Sequence, residues 1–340
     1  MSNQGTILVT GGAGYIGSHT CVELLAGGYD VVIVDNLSNS QREAIVRIER
    51  IAGRAPVFIQ GDVCSAALME DVFARHRIDG VIHFAALKSV GESVREPLRY
   101  YSNNLGSLVT LLATMARHNV HDLVFSSSAT VYGNPSSVPV DETFPLSTTN
   151  PYGQTKLMAE QMIADTVAAD PRWRCATLRY FNPVGAHESG LLGEDPGGVP
   201  NNLMPFVAQV AVGKQARLKV FGGDWPTPDG TGVRDYLHVV DLARGHLSAL
   251  TGLRTHGAGF TVNLGTGQGH SVLDVVRAFE AASGRDVPYE IVARRTGDIA
   301  TCYANPAKAQ ALLGWRAQYD LARMCADHWR WQRQNPDGYQ

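Results

Sequence analysis

Short continuous apolar runs, most closing on glycine, serine or aspartate, alternate along this chain with longer stretches whose apolar residues recur at helical spacing. Thr6-Ile7-Leu8-Val9-Thr10 reads as a buried strand, and Asp30-Val31-Val32-Ile33-Val34-Asp35 as a second. The series continues with Val57-Phe58-Ile59 ending at Gly61-Asp62, Gly80-Val81-Ile82-His83-Phe84, Asp122-Leu123-Val124-Phe125-Ser126 and Ala176-Thr177-Leu178-Arg179. Helical patterns lie between them: to Ala26 before Gly27-Gly28, from Arg42 to Ala52, near Leu68 to Arg75, and around Leu105 to Arg117. A further one opens at Pro151 and carries Leu157, Met158, Met162 and Ile163. Such alternation predicts an α/β fold, a doubly wound parallel sheet with helices on both faces. Beyond Asn182 glycine and proline become frequent and strands irregular, as in Gly193 to Pro205 and Gly222 to Gly232. This predicts a smaller, discontinuous α/β lobe. Val239 to Leu250 and Thr261-Val262-Asn263-Leu264 read as returns to the sheet domain. The expected division is residues 1–182 plus about 235–265 for the sheet domain, and about 183–234 plus 266–340 for the lobe.

Composition narrows the class. With 340 residues, 44% apolar and 18% charged, the chain has ample core for a two-lobed globular protein. A net charge of -3 gives no reason to expect nucleic-acid binding. The five cysteines are scattered, with no Cys-x-x-Cys, so neither a disulfide framework nor a zinc knuckle is expected. His118 and His121 are close enough to share a metal, but no third ligand stands nearby, and no metal is expected. No apolar run approaches the ~20 residues needed to span a bilayer, and no signal peptide is visible, so a cytoplasmic protein without membrane partners is expected.

The candidate chemistry sits at strand ends, where open α/β sheets bind ligands. Gly11, Gly14 and Gly17, in Gly11-Gly12-Ala13-Gly14-Tyr15-Ile16-Gly17, lie between a strand and a helix. A tight turn, close backbone approach and a helix N-terminus make a pyrophosphate site, the mark of a Rossmann dinucleotide fold. Asp35 closes the next strand; its carboxylate suits the ribose hydroxyls of NAD and repels a 2′-phosphate, so with the glycines in place NAD is favoured over NADP and over the plainer task of capping the following turn. Tyr15, Ile16, Asn36, Leu37, Asn39, Ser40 and Asn103 join the expected cofactor contacts. Asp62 is placed to receive the adenine amino group, with Val63 beside it, and Phe84, Ala85, Ala86, Leu87 and Lys88 end the fourth strand close to the cofactor.

Tyr152 and Lys156 stand four apart, one helical turn. A free phenol titrates near ~10 and is a poor base at neutral pH; an adjacent ammonium, and the charge of an oxidised nicotinamide, favour the phenolate. The pair is a candidate general base for an alcohol, though alone it is most often ordinary helix surface. Ser128, in Ser126-Ser127-Ser128, can relay the proton; no histidine and acid flank it, so a nucleophilic serine is not expected. Phe181 suits packing near the nicotinamide, and Asn182 can bond a sugar or phosphate oxygen.

These motifs, together with Ser126 to Gly133 and Tyr180-Phe181-Asn182-Pro183, resemble the extended short-chain dehydrogenase/reductase family, most closely its branch of epimerases acting at position 4 of UDP-hexoses. The resemblance continues through Pro200-Asn201-Asn202-Leu203-Met204-Pro205, Asp229 to Tyr236 and Arg295-Thr296-Gly297-Asp298, and so spans nearly the whole chain. One small departure is Gly106-Ser107-Leu108, where Asn-Gly-Thr is common. The resemblance implies bound NAD, a UDP-hexose substrate and a homodimer. Arg234 and Arg295 are planar forks suited to a diphosphate, and Asn202 and Leu203 open a helix whose amides add to them. From the resemblance, Lys219, Val220 and Phe221 would line the uracil pocket, Asp298 would hold a ribose hydroxyl, and Tyr236 would support the site. Lys88, Ser128, Tyr152 and Asn182 would also touch substrate. Family dehydratases resemble this chain but carry Thr-Asp-Glu where it has Ser128-Ala129-Thr130; without those acids elimination is disfavoured. Cys302 replaces a bulky tyrosine that acts as a gate in the family, so N-acetylated UDP-hexoses are expected to be accepted; a small buried residue is the plainer account. A non-catalytic NAD-binding regulator is the alternative of another class, and it would be expected to have lost Tyr152 or Lys156.

Overall fold

The computed structural model describes residues 4–196, 200, 202–295 and 297–340, so Asn201 and Thr296 of the motifs above lie outside the described residues. The first half runs β1 (Thr6–Thr10), α1 (Tyr15–Ala26), β2 (Asp30–Asp35), α2 (Glu43–Ala52), β3 (Val57–Gln60), α3 (Ala66–Arg75) and β4 (Gly80–His83). Then come α4 (Val90–Arg95), α5 (Pro97–Arg117), β5 (Asp122–Ser128), α6 (Pro151–Ala169) and β6 (Arg174–Tyr180). The strands predicted from apolar runs are all present. The difference lies between β4 and β5: α4 is a six-residue helix, too short for a periodic signal, and α5 starts at Pro97 rather than near Leu105. Proline at the first helical turn is compatible with the helix because the amide it lacks needs no partner there.

The second half adds β7 (Asn182–Val184), α7 (Leu203–Ala211), β8 (Leu218–Phe221), β9 (Val233–Arg234), β10 (Tyr236–His238) and α8 (Val239–His256). It closes with β11 (Phe260–Leu264), β12 (His270–Ser271), α9 (Val272–Ser283), β13 (Tyr289–Val292), β14 (Thr301–Cys302), α10 (Ala307–Leu313) and α11 (Leu321–Gln334).

The main sheet has seven strands in the order β11-β6-β5-β4-β1-β2-β3, every pairing parallel. Alternate residues of one strand feed opposite layers, as the two-residue period of a strand requires. Ile7 and Val9 pack with α1, α2 and α8, whereas Leu8 packs with α3, α5 and α6. The strand order reverses between β1 and β4, and a crevice at the carboxyl ends follows from that reversal.

The second lobe buries Met204, Val207, Val220, Tyr236, Val275, Phe279 and Met324 among α7, α9, α11, β8 and β10. Residues 307–315 were expected in this lobe. Ala309 of α10 and Trp315 instead pack in the core of the main sheet, where the Trp315 indole donates to the Asp241 carbonyl at 3.0 Å. Between the two cores, β9 pairs with β12 and β14, and β7 with β10. Asp235, fully buried, joins these connections by accepting from the amides of Thr266, Gly267 and Ala304.

Candidate active site

A cleft of about 1210 Å³ runs along the carboxyl ends of the strands and between the two lobes. At its β1 end the chain turns sharply into α1. Gly11 has φ +72, and a Cβ there would meet the Ala85 amide nitrogen at 2.7 Å; a Cβ on Gly17 would overlap the Gly11 carbonyl oxygen. Only glycine allows the loop to lie this close to the β4 end, and the α1 N-terminus carries no side-chain cap, which leaves its amides for an anion. Asp35 is buried at the β2 terminus. It accepts from the Ala13 amide at 3.0 Å, the Leu37 amide at 2.9 Å and the Ser40 hydroxyl at 2.9 Å. It therefore does cap the following turn. A carboxylate oxygen accepts more than one hydrogen bond, so capacity remains for a ribose hydroxyl. A glycine cradle, uncapped amides and a cleft-lining carboxylate together fit a dinucleotide such as NAD.

The opposite wall comes from β5, β6 and α6. Asn150 caps α6 through the Gly153 amide at 2.9 Å, and Pro151 occupies its first turn, so the register that brings Tyr152 and Lys156 to one face is set locally. The three serines ending β5 serve three partners. Lys156 Nζ donates to the Ser126 carbonyl at 2.6 Å and to its hydroxyl at 3.3 Å, Ser127 donates to Glu160, and Ser128 accepts from the Thr130 hydroxyl at 3.0 Å. Burial pushes the Tyr152 phenol up to about 12, partly offset by the Ser128 hydroxyl. Burial lowers the Lys156 ammonium to about 8, against the pull of Glu160. The sequence led us to expect that Lys156 would lower the phenol. Burial dominates instead, and the ammonium is bonded to the end of β5.

Across the cleft, Arg234 on β9 lies opposite Cys302 on β14 in register, and its guanidinium donates to the Val233 carbonyl at 2.9 Å. The Arg295 guanidinium sits 4.5 Å over the Phe221 ring and 3.6 Å from Asp298. Asn202 precedes α7; its amide nitrogen donates to Glu194 at 2.8 Å, and Lys88 reaches the same carboxylate oxygen at 3.3 Å.

The cleft is lined by Gly11, Gly14, Tyr15, Ile16, Gly17, Asp35, Asn36, Asn39, Ser40, Asp62 and Val63, by Phe84 to Lys88, and by Asn103, Tyr152, Lys156 and Phe181. Asn182, Asn202, Arg234, Arg295, Asp298 and Cys302 also line it. Seven expected residues do not. Leu37 contributes its amide to Asp35, Ser128 lies beside Tyr152, and Leu203 packs toward the second-lobe core. Val220 and Tyr236 are buried in that core, and Lys219 and Phe221 are exposed on β8, where Phe221 meets the cleft only through the Arg295 guanidinium stacked on its ring. Two residues went unnoticed in the sequence. Glu194 joins Lys88 to Asn202, and Asn104 brackets the β4 end by bonding both the amide and the carbonyl of Leu87 while holding Thr155 of α6. Asn104 was readable from its pairing with Asn103; Glu194 lies in a Gly/Pro-rich stretch without periodicity, so only its position in space marks it.

Residues 8–328 match the family model described as GDP-mannose 4,6 dehydratase. The curated UDP-glucose 4-epimerase of Bacillus subtilis is 59% identical over 333 residues, 98% of each chain. The structure of UDP-glucose 4-epimerase from Bifidobacterium longum in complex with NAD+ and UDP is 55% identical, covers 98% of this chain and 100% of that one, and superposes with a TM-score of 0.95. That of the Stenotrophomonas maltophila epimerase, with bound NAD and formylated UDP-arabinopyranose, is 54% identical over 97% and 98% of the two chains, with a TM-score of 0.96. The family model bears a dehydratase's description, but Ala129 and Thr130 provide no acid pair for elimination. With both the glycine cradle and the Tyr152–Lys156 pair in place, the chain belongs to the UDP-glucose 4-epimerase branch of the extended short-chain dehydrogenase/reductase family.

Proposed function

We infer that this chain is an isomerase that interconverts UDP-galactose and UDP-glucose by transient oxidation at position 4 of the sugar, with NAD bound and no net redox change. The observation that carries the reading is the arrangement at the end of β5, where Tyr152 and Lys156 face the cleft that the glycine turn also borders and Ser128 lies beside Tyr152. NAD, when bound, supplies the acceptor and donor of hydride. Tyr152 takes the proton of the 4-hydroxyl, with Ser128 bridging, and returns it once the 4-keto sugar has turned over about its diphosphate tether. Lys156 would hold the nicotinamide ribose, and its charge would favour the Tyr152 phenolate against the burial that keeps the phenol protonated. Arg234 and Arg295, with the α7 amides, hold the diphosphate, and Asp298 a ribose hydroxyl. The purified protein, given UDP-galactose and no added reductant, forms UDP-glucose. Tyr152→Phe lowers kcat by roughly 10²-fold or more; near wild-type turnover by that variant would overturn the assignment.

Two finer points belong to the same reading. Cys302, buried and small on the cleft wall beside Arg234, leaves room for an N-acetyl group, so UDP-N-acetylglucosamine and UDP-N-acetylgalactosamine are also substrates. A homodimer is supported by Val94, Leu98 and Val109, large apolar side chains left exposed on α4 and α5.

A further inference from the structure

Behind the Tyr152–Lys156 face lies a buried polar network for which the chemistry above has no use. Glu160 follows Lys156 by one turn on α6 and is almost fully buried. Its carboxylate accepts from Ser127 Oγ at 2.5 Å and from Arg179 of β6 through Nε at 3.0 Å and Nη2 at 2.6 Å. Arg179 donates onward to the Tyr132 hydroxyl at 3.0 Å, and Tyr132 donates to Asn263 of β11 at 2.7 Å. The Asn263 amide nitrogen reaches the Val140 carbonyl at 2.9 Å. The chain of bonds thus ties α6 to β5, β6 and β11 directly beneath the reacting edge.

A buried ion pair adds little to stability when set against an apolar pair of equal volume, so stability alone does not account for this one. We propose that Glu160 is a positioning residue for the epimerisation: braced by Ser127 and Arg179, its carboxylate keeps the charge on Lys156 and the register of α6 against β5. This rests on the reading of Lys156 given above. Geometry supports it first. Ser126 and Ser127 are consecutive on β5, and one holds Lys156 while the other holds Glu160, so the strand grips both acid and base of a single helical turn. Electrostatics agree. Burial is the main influence on Lys156, and Glu160 is the charge that opposes it.

The other groups near this turn do not replace that charge. His83 of β4 is held neutral by burial and by Lys156 itself. Tyr180 of β6 is held protonated by burial, and Arg179 is committed to Glu160. Tyr132 and Tyr152 are likewise pushed up by burial. On α4 and α5, Glu92 is paired with Arg99 and Tyr100, and Arg95 is exposed.

The test compares pH profiles of the NAD-loaded protein with UDP-galactose as substrate. The expected profile falls on the alkaline side as Lys156 loses its proton. Glu160→Gln should move that limb to lower pH by about half to one unit, with KM little changed. Glu160→Asp, which keeps the charge, should leave the limb in place. Because Glu160→Gln leaves the buried Arg179 guanidinium without its counter-charge and is at risk of not folding, the double variant Glu160→Gln/Arg179→Met is assayed as well, and should show a limb displaced in the same direction by a smaller amount, since a positive charge leaves with the negative one. Limbs unchanged from wild type in the folded Gln variants would overturn the proposal. So would a uniform loss of kcat at every pH, which marks a merely structural brace. If Tyr152→Phe stays active, the reading of the site fails; if Tyr152→Phe is dead and the limb does not move, only this inference fails.

Discussion

At the scale of single residues, the site depends on groups whose burial works against their charge. Lys156 binds its proton less tightly in the folded protein than in the unfolded chain, about 8 against the ordinary 10.5. Its desolvated ammonium therefore weakens folding below pH 8, and the penalty fades as pH rises toward 10.5. Lys156→Met should accordingly be stabilised relative to wild type at pH 7, by at most on the order of 3 kcal/mol, and the advantage should shrink by pH 10. Thermal melts of NAD-free protein at the two pH values check this; a constant difference would count against it. Cys302 makes a second residue-level case. Cys302→Tyr should cut UDP-N-acetylglucosamine turnover roughly tenfold or more while leaving UDP-galactose within a few-fold, since added bulk excludes the larger substituent. Parallel assays of the two sugars decide it. The burial of Lys156 could not be read from the sequence, because it depends on which distant segments surround the residue, whereas the place of Cys302 on the cleft wall was suggested only by the family resemblance.

At the scale of elements, the apolar pattern was a good guide through the first half of the chain. Strands β1 to β6 and the helices between them came directly from apolar runs, since a strand buried on both faces is apolar at every position. The elements that escaped were α4 and the two- and three-residue strands β7, β9, β10, β12 and β14, which are too short to show a period, together with β8 and, beyond Leu264, α9, β13, α10 and α11, where no segment was assigned. They matter nonetheless, because β9 and β14 set Arg234 against Cys302. The glycine turn belongs to this scale too. Gly17→Ala would drive a Cβ into the Gly11 carbonyl, and overpacking of that kind typically costs about 1–3 kcal/mol. The variant should melt lower and lose NAD absorbance on desalting; an unchanged cofactor content would show that the turn tolerates expansion.

At the scale of the molecule, two cores meet across one cleft. The packing of Ala309 and Trp315 leads us to assign residues 307–315 to the sheet domain, with α11 returning to the second lobe. The exposed apolar positions on α4 and α5 lead to an expectation about assembly. Leu98→Glu/Val109→Glu should convert a dimer to a monomer in light scattering, while a single mass for wild type and variant would remove the apolar face from the argument. Glu194 also acts at this scale, since it links Lys88 on the sheet side to Asn202 before α7.

The sequence by itself determined the sheet, the glycine turn and the Tyr152–Lys156 face, because each is local: a run of apolar residues, a backbone that only glycine can adopt, or two side chains one helical turn apart. The family resemblance extended this to the chemistry. Tertiary structure alone decided the state of those groups. It buried the phenol and the ammonium, turned Lys156 toward Ser126, placed Val220 and Tyr236 in a core rather than at the cleft, and set Glu160 and Arg179 beneath the reacting edge. Desolvation and charge pairing arise from residues far apart in the chain, and no local pattern reports them.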